Sequence, residues 1–145
     1  MKIVVGSDHA GFELKEAVKA KLESEGYEIE DVGTYSTEST DYPKYGHAVG
    51  RKVAAGEADR GIAICGTGIG INISCNKVPG IRAALVTSVF QAEMTKAHND
   101  ANVLCLGARV TDQDLAFEMI DTWLGTEFEG GRHLRRISEI ENLDF

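Results

Sequence analysis

The sequence predicts a three-layer α/β fold: a five-stranded parallel sheet with helices on both faces. Three observations predict it. Short apolar runs of strand length recur along the chain, helical-period patterns separate them, and glycine or proline marks the junctions. The chain has 145 residues, which fits a single domain over 1–145 with a normal core.

Taken in order, residues 2–6 (KIVVG) read as a buried strand. Phe12 to Glu25 carries Leu14, Ala17, Val18 and Leu22 at helical spacing, and Gly26 stops it. YEIEDV (27–32) is a second strand and GTYSTESTDYP (33–43) a polar loop. Pro43 suits a first helical turn, opening a helix to about Ala55. GIAIC (61–65) is the third strand, and a glycine-rich turn leads from it into a short helix ending near Lys77. IRAALV (81–86), a helix from about Val89 to His98, and NVLCL (102–106) follow. The helix from Asp112 to Leu124 has Leu115, Ala116, Met119, Ile120, Trp123 and Leu124 as its apolar stripe, and a final charged helix begins near Gly131. Strands alternating with helices imply right-handed crossovers and a parallel sheet covered on both faces. No internal repeat, low-complexity tract or linker interrupts the pattern. Ligands of such sheets sit at the carboxyl ends of the strands, so the polar residues there are the candidates.

Composition narrows the partners. Formal net charge is −8, which argues against nucleic acid, since phosphate backbones reward basic surfaces. An anionic ligand would need a local basic pocket. No apolar run approaches the roughly 20 residues of a membrane helix, and the opening MKIVVG does not read as a leader peptide. Cys65, Cys75 and Cys105 form neither a disulfide framework nor a CxxC pattern, which predicts free thiols in a reducing cytoplasm.

The stretch ICGTGIGINISCNK (64–77) is the most unusual. Gly66, Gly68 and Gly70 give GxGxG, and Ile71 stands where the dinucleotide fingerprint needs its last glycine. No GxxxxGK[ST] fits. A tyrosine-phosphatase loop would need arginine at position 71. His9, His47, His98 and His133 show no metal-ligand spacing. What remains is a strand ending at Cys65 and small residues entering a helix, an arrangement that converges backbone N–H groups on one point. Such a nest binds phosphate or stabilises an oxyanion. The same field favours a thiolate: a free thiol with a pKa of about 8.5 is only a few per cent ionised at neutral pH, and about one unit of help from a helix end raises that to about a quarter. The bland alternative is a buried cysteine that happens to end a strand.

Other strand ends carry Asp8 and His9 in GSDHAG (6–11), His98, Asn99 and Asp100 before the fifth strand, and Arg109 after it. Asp8 also reads as an N-cap, and a histidine at a helix C-terminus is favoured by the dipole. Arg132 and Arg136, four apart in GGRHLRRISEIE, share one helix face. They fit a phosphate clamp, or a solvated face on which Arg135 and Arg136 pair with Glu139 and Glu141.

Six blocks in order, SDHAG (7–11), TDYP (40–43), ICGTGIGINISCNK (64–77), GIRAA (80–84), HNDANVL (98–104) and EGGRHLRR (129–136), resemble ribose-5-phosphate isomerase type B. That family includes the galactose-6-phosphate isomerase subunits and allose-6-phosphate isomerases. The resemblance runs essentially end to end. It implies a Rossmann-like, cofactor-free and metal-free aldose–ketose isomerase that works through an enediolate on a phosphorylated sugar in the pentose phosphate pathway. By the resemblance Cys65 is the base that moves a proton between C2 and C1, Thr67 is the hydroxyl beside it, and the amides of Gly66 to Gly70 hold the enediolate oxygen. His98 is placed at ring opening, Asp8 and Tyr42 at sugar contacts, and Asn99 near the reacting carbons. His9, Arg109, Arg132 and Arg136 match phosphate positions. The resemblance also implies a homodimer or dimer of dimers whose site is shared, with the His98–Asn99 segment coming from the other subunit. Alternatives are a hexose 6-phosphate isomerase, a non-catalytic sugar-phosphate-binding protein, and a structural subunit of a hetero-oligomer.

Overall fold

A computed structural model describes residues 1–143. Five strands, β1 (Lys2–Ser7), β2 (Glu28–Asp31), β3 (Arg60–Cys65), β4 (Ala83–Leu85) and β5 (Val103–Gly107), alternate with the helices α1 (Phe12–Ser24), α2 (Tyr42–Ala54), α3 (Ile69–Asn76) and α4 (Val89–Ala97), and α5 (Gln113–Gly125) and α6 (Arg132–Glu141) follow β5. The sheet is parallel throughout, in the order β2-β1-β3-β5-β4. This is the predicted architecture.

The sheet separates two cores. On one face α1, α4 and α5 bury Leu14, Val18, Leu22, Ala92, Met119, Ile120 and Trp123 against Ile3, Val5, Ile62, Ile64, Leu104 and Leu106. On the other, α2 and α3 bury Val49, Ile71 and Cys75 against Val4, Ala63, Cys65, Val103 and Cys105. Successive strand residues point to opposite faces, so the continuous apolar runs are explained by a sheet buried on both sides.

Boundaries differ where local signals are weak. The fourth strand shrinks from 81–86 to Ala83–Leu85, because it is an edge strand paired only with β5. The final helix starts at Arg132, with Gly131 as its N-cap. Among the described residues, no helix is long and apolar enough to cross a membrane.

Strand order creates the functional crevice. The chain leaves β1 for α1 on one face and leaves β3 for α3 on the other. Adjacent strands whose connections diverge open a gap between their carboxyl ends. Asp8 follows β1 and Gly66 follows β3, so both enter that gap.

Candidate active site

Cys65 ends β3 with its side chain in the α2–α3 core, and only 5% of the residue is exposed. Its Sγ accepts the Gly68 N–H at 3.2 Å. Gly68 is the N-cap of α3 at φ 82°, a left-handed conformation that favours glycine. A Cβ there would stand 2.5 Å from Leu85 Cδ1 and 2.8 Å from the Leu106 carbonyl carbon. The turn is thus fixed by backbone conformation and by close approach to β5. Thr67 is exposed, and its Oγ1 accepts the Ile69 N–H at 3.3 Å.

The turn floors an open cleft of about 440 Å³ lined by Asp8, Tyr42, Cys65, Gly66, Thr67, Ile69, Gly70, Ile73 and Arg109. Tyr42, the first residue of α2, lays its ring on Gly70, where an added Cβ would come within 2.6 Å of it. The Arg109 side chain lies over Gly66, with Nη1 3.0 Å from where a Cβ would be, and its backbone N–H donates to the Gly66 carbonyl at 2.9 Å. A thiol, a hydroxyl, a carboxylate and a guanidinium therefore share one hollow around a helix N-terminus.

Asp8 is buried, and its Oδ1 accepts the Gly11 N–H at 3.1 Å. The expectation that Asp8 caps α1 is corrected here: Gly11 is the N-cap, and Asp8 ties the turn before it. His9 is not among the residues lining the cleft. Its Nδ1 stands 3.1 Å from the Thr40 amide nitrogen and 3.2 Å from the Thr40 carbonyl oxygen, which anchors the ring to the loop before α2.

The remaining predicted residues lie outside the cleft. His98 caps the C-terminus of α4 and stacks on His133, with ring centroids 4.1 Å apart and planes 7° apart. Glu129 Oε1 stands 3.7 Å from His98 Nε2 and 3.5 Å from His133 Nε2. Burial pulls His133 below the usual histidine range; the His98 and Arg132 charges act in the same direction, and Glu129 opposes them. Asn99 lines a separate hollow with Asn76, Arg82 and Ile140. Arg132 and Arg136 are exposed on α6. Among the described residues neither Arg135 nor Arg136 forms an ion pair, and Glu141 pairs with Arg82 at 2.6 Å instead. The pairing of Arg135 and Arg136 with Glu139 and Glu141 is thus not formed among the described residues, although all of these arginines face solvent.

Sequence reasoning missed Ile69 and Ile73 on the cleft wall, and His133 and Glu129 beside His98. The block that carries Arg132 contains both of the latter, but nothing in its spacing points back to residue 98. All three cysteines are free. Burial, with the Cys75 thiol acting in the same direction, pushes the Cys105 thiol well above its ordinary range, which makes it an inert core group.

The family profile for Ribose/Galactose Isomerase matches residues 3–140. The chain belongs to the ribose/galactose isomerase family. Ribose-5-phosphate isomerase B of Escherichia coli K12 is 48% identical over 143 residues, covering 99% of this chain and 96% of that protein. Ribose-5-phosphate isomerase B of Clostridium thermocellum superposes with a TM-score of 0.97 at 54% identity, covering 97% of this chain and 95% of that one. The Mycoplasma genitalium enzyme, solved with ribulose-5-phosphate bound, superposes with a TM-score of 0.93 at 39% identity, covering 97% of this chain and 93% of that one. As a member of this family the chain is an aldose–ketose isomerase, and the cleft at the β1/β3 switch point is its candidate catalytic centre.

Proposed function

We propose that this isomerase interconverts ribose 5-phosphate and ribulose 5-phosphate through an enediolate, without a cofactor, in the cytoplasm. The observation that carries the proposal is the Cys65 sulfur on the floor of the cleft, which accepts the N–H of Gly68, the residue that caps α3.

A proton next to a carbonyl is removed efficiently when a base and a donor set for the developing oxyanion are fixed together. Cys65 takes the C2 proton of the open-chain aldose, and the electron pair moves through C2–C1 onto O1. The proton held on the sulfur exchanges with solvent before a proton is delivered to C1, while the O2 proton passes to O1, which leaves the ketose. Two amides at the turn, those of Gly68 and Ile69, are engaged by Cys65 Sγ and Thr67 Oγ1. Those of Gly66, Thr67 and Gly70 are left for the substrate oxygen. Asp8 and Tyr42 hold sugar hydroxyls.

The ring-opening group and part of the phosphate site come from a second copy of the chain. His98, Asn99, Arg132 and Arg136 do not line the Cys65 cleft of their own chain. In a homodimer they complete the partner's cleft: His98 opens the sugar ring, Asn99 meets an oxygen near the reacting carbons, and the arginines, with His9 and Arg109 of the first chain, hold the phosphate. This division supports the reading over that of a one-chain binding protein, which would gather its anion site in a single hollow.

The test is an isomerase assay over ribose 5-phosphate, allose 6-phosphate and galactose 6-phosphate in deuterated water. Turnover of the pentose with deuterium entering the carbon-bound position is expected. Preference for a hexose phosphate would move the assignment to the galactose branch, and no exchange on any sugar would end the enediolate account.

A further inference from the structure

His98, Glu129 and His133 offer three ligand atoms that lie within 4.8 Å of one another. They come from three places in the chain: the end of α4, the segment before α6 and the first turn of α6. An independent observation singles out the same point. His133 is only 6% exposed, and its Nε2 is buried without a hydrogen-bond partner among the described residues. A buried nitrogen of that kind is a standing cost unless something fills its coordination.

We propose that these three residues bind one borderline divalent cation, zinc(II) or a neighbour such as nickel(II) or copper(II), and that its binding switches the isomerase off. Two imidazoles and a carboxylate are the donor set such ions prefer, with a fourth position open to water. In a tetrahedral complex with bonds of about 2.0–2.1 Å, ligand atoms stand about 3.3 Å apart. The two carboxylate–imidazole gaps, 3.5 and 3.7 Å, are already close to that. The rings must splay from their 7° stack so that both lone pairs meet the ion. His98 is the one free to turn, since 37% of its side chain is exposed against 8% for His133. The positive charges of Arg132 and Arg136 reach His133 and oppose the ion, which makes the site reversible and inhibitory rather than a resident metal centre. The inhibitory consequence rests on the role of His98 proposed above, because a metal on its Nε2 removes the nitrogen that ring opening needs. The binding itself does not depend on that role.

The experiment titrates the metal-free full chain with zinc chloride against a chromophoric chelator, using wild type, Cys65→Ala, His133→Ala and Glu129→Gln, with circular dichroism to check folding. One ion per chain is expected in wild type and in Cys65→Ala, with affinity at least about tenfold weaker in His133→Ala and Glu129→Gln. Glu129 is half exposed, so its variant keeps the test decisive if His133→Ala fails to fold. Equal affinity in wild type and Glu129→Gln, or loss of binding in Cys65→Ala, overturns the site. Zinc is also expected to inhibit wild-type isomerisation, with recovery on adding a chelator. Binding at the trio without inhibition overturns the switch and counts against His98 as the ring-opening group, while leaving the cation site standing.

Discussion

Cys65 is placed by three constraints that act together: it ends a strand, it faces a packed core, and it receives an N–H from the turn that follows. Removing the sulfur leaves the amides and the cleft walls in place, so Cys65→Ala is expected to cut turnover by about 10²–10⁴-fold while sugar-phosphate binding, followed by calorimetry, changes little. Near-normal turnover would remove Cys65 from the role of base. The turn itself is more fragile. Gly68→Ala forces a side chain into a left-handed conformation and against β5, and a loss of at least about 2 kcal/mol in urea unfolding is expected. Gly70→Ala meets only the tip of the Tyr42 ring, itself 40% exposed, so it is expected to raise KM with little change in Tm. Equal effects on both quantities would mean that Tyr42 braces the fold rather than the sugar. These positions drew attention because glycines after a strand end converge backbone amides on one point, while the expected role of Cys65 came from the family resemblance rather than from the residue alone. The stack of His98 on His133 was not legible, because 35 residues of sequence separate the rings and no periodicity links them.

The elements follow closely from the hydrophobic pattern, and the departures have physical causes. Edge strand β4 is short because it has a partner on one side only. The approach to α1 is tied by Asp8 although Gly11 takes the cap position, an outcome set by contacts to β3 that the sequence around residue 8 does not display. Lys15 is a sharper case. Its place on the α1 pattern suggests a solvated residue, yet its side chain is fully buried, 2.6 Å from Asp31 Oδ2 at the end of β2. Asp31 Oδ1 in turn accepts the Gly33 N–H at 2.8 Å, so this ion pair fixes both the helix–strand contact and the start of the loop leading to Tyr42. Lys15→Met takes the closer cation from the buried Asp31 carboxylate, leaving only Lys19 at 3.4 Å, and is expected to cost up to about 3–5 kcal/mol, whereas Lys15→Met with Asp31→Asn recovers much of it. Additive losses in the two single variants and the double variant would show that the two groups act independently.

At the scale of the whole molecule, the predicted site residues separate into a chemical half around Cys65 and a cationic half around His98, Arg132 and Arg136. The resemblance named both halves and already set the His98–Asn99 segment apart, but that Arg132 and Arg136 also lie outside the Cys65 cleft shows only when the chain is folded, because which residues share a hollow depends on strand order and on where α6 lies. Exposed apolar side chains flank both halves: Ile69 and Ile73 on the cleft wall, Leu134 and Ile140 on α6. A second copy that covers such surfaces would bring one half to the other, and a symmetric dimer would form two sites at once. Subunit complementation tests this most directly. Cys65→Ala and His98→Ala chains are each expected to be inactive alone. Mixed in equal amounts, dissociated and reassembled, they are expected to recover about a quarter of wild-type activity, since about half of the dimers are mixed and each mixed dimer holds one intact site. A mixture as inactive as its parents, under conditions where mixed dimers are shown to form, would contradict a site shared between two copies of the chain.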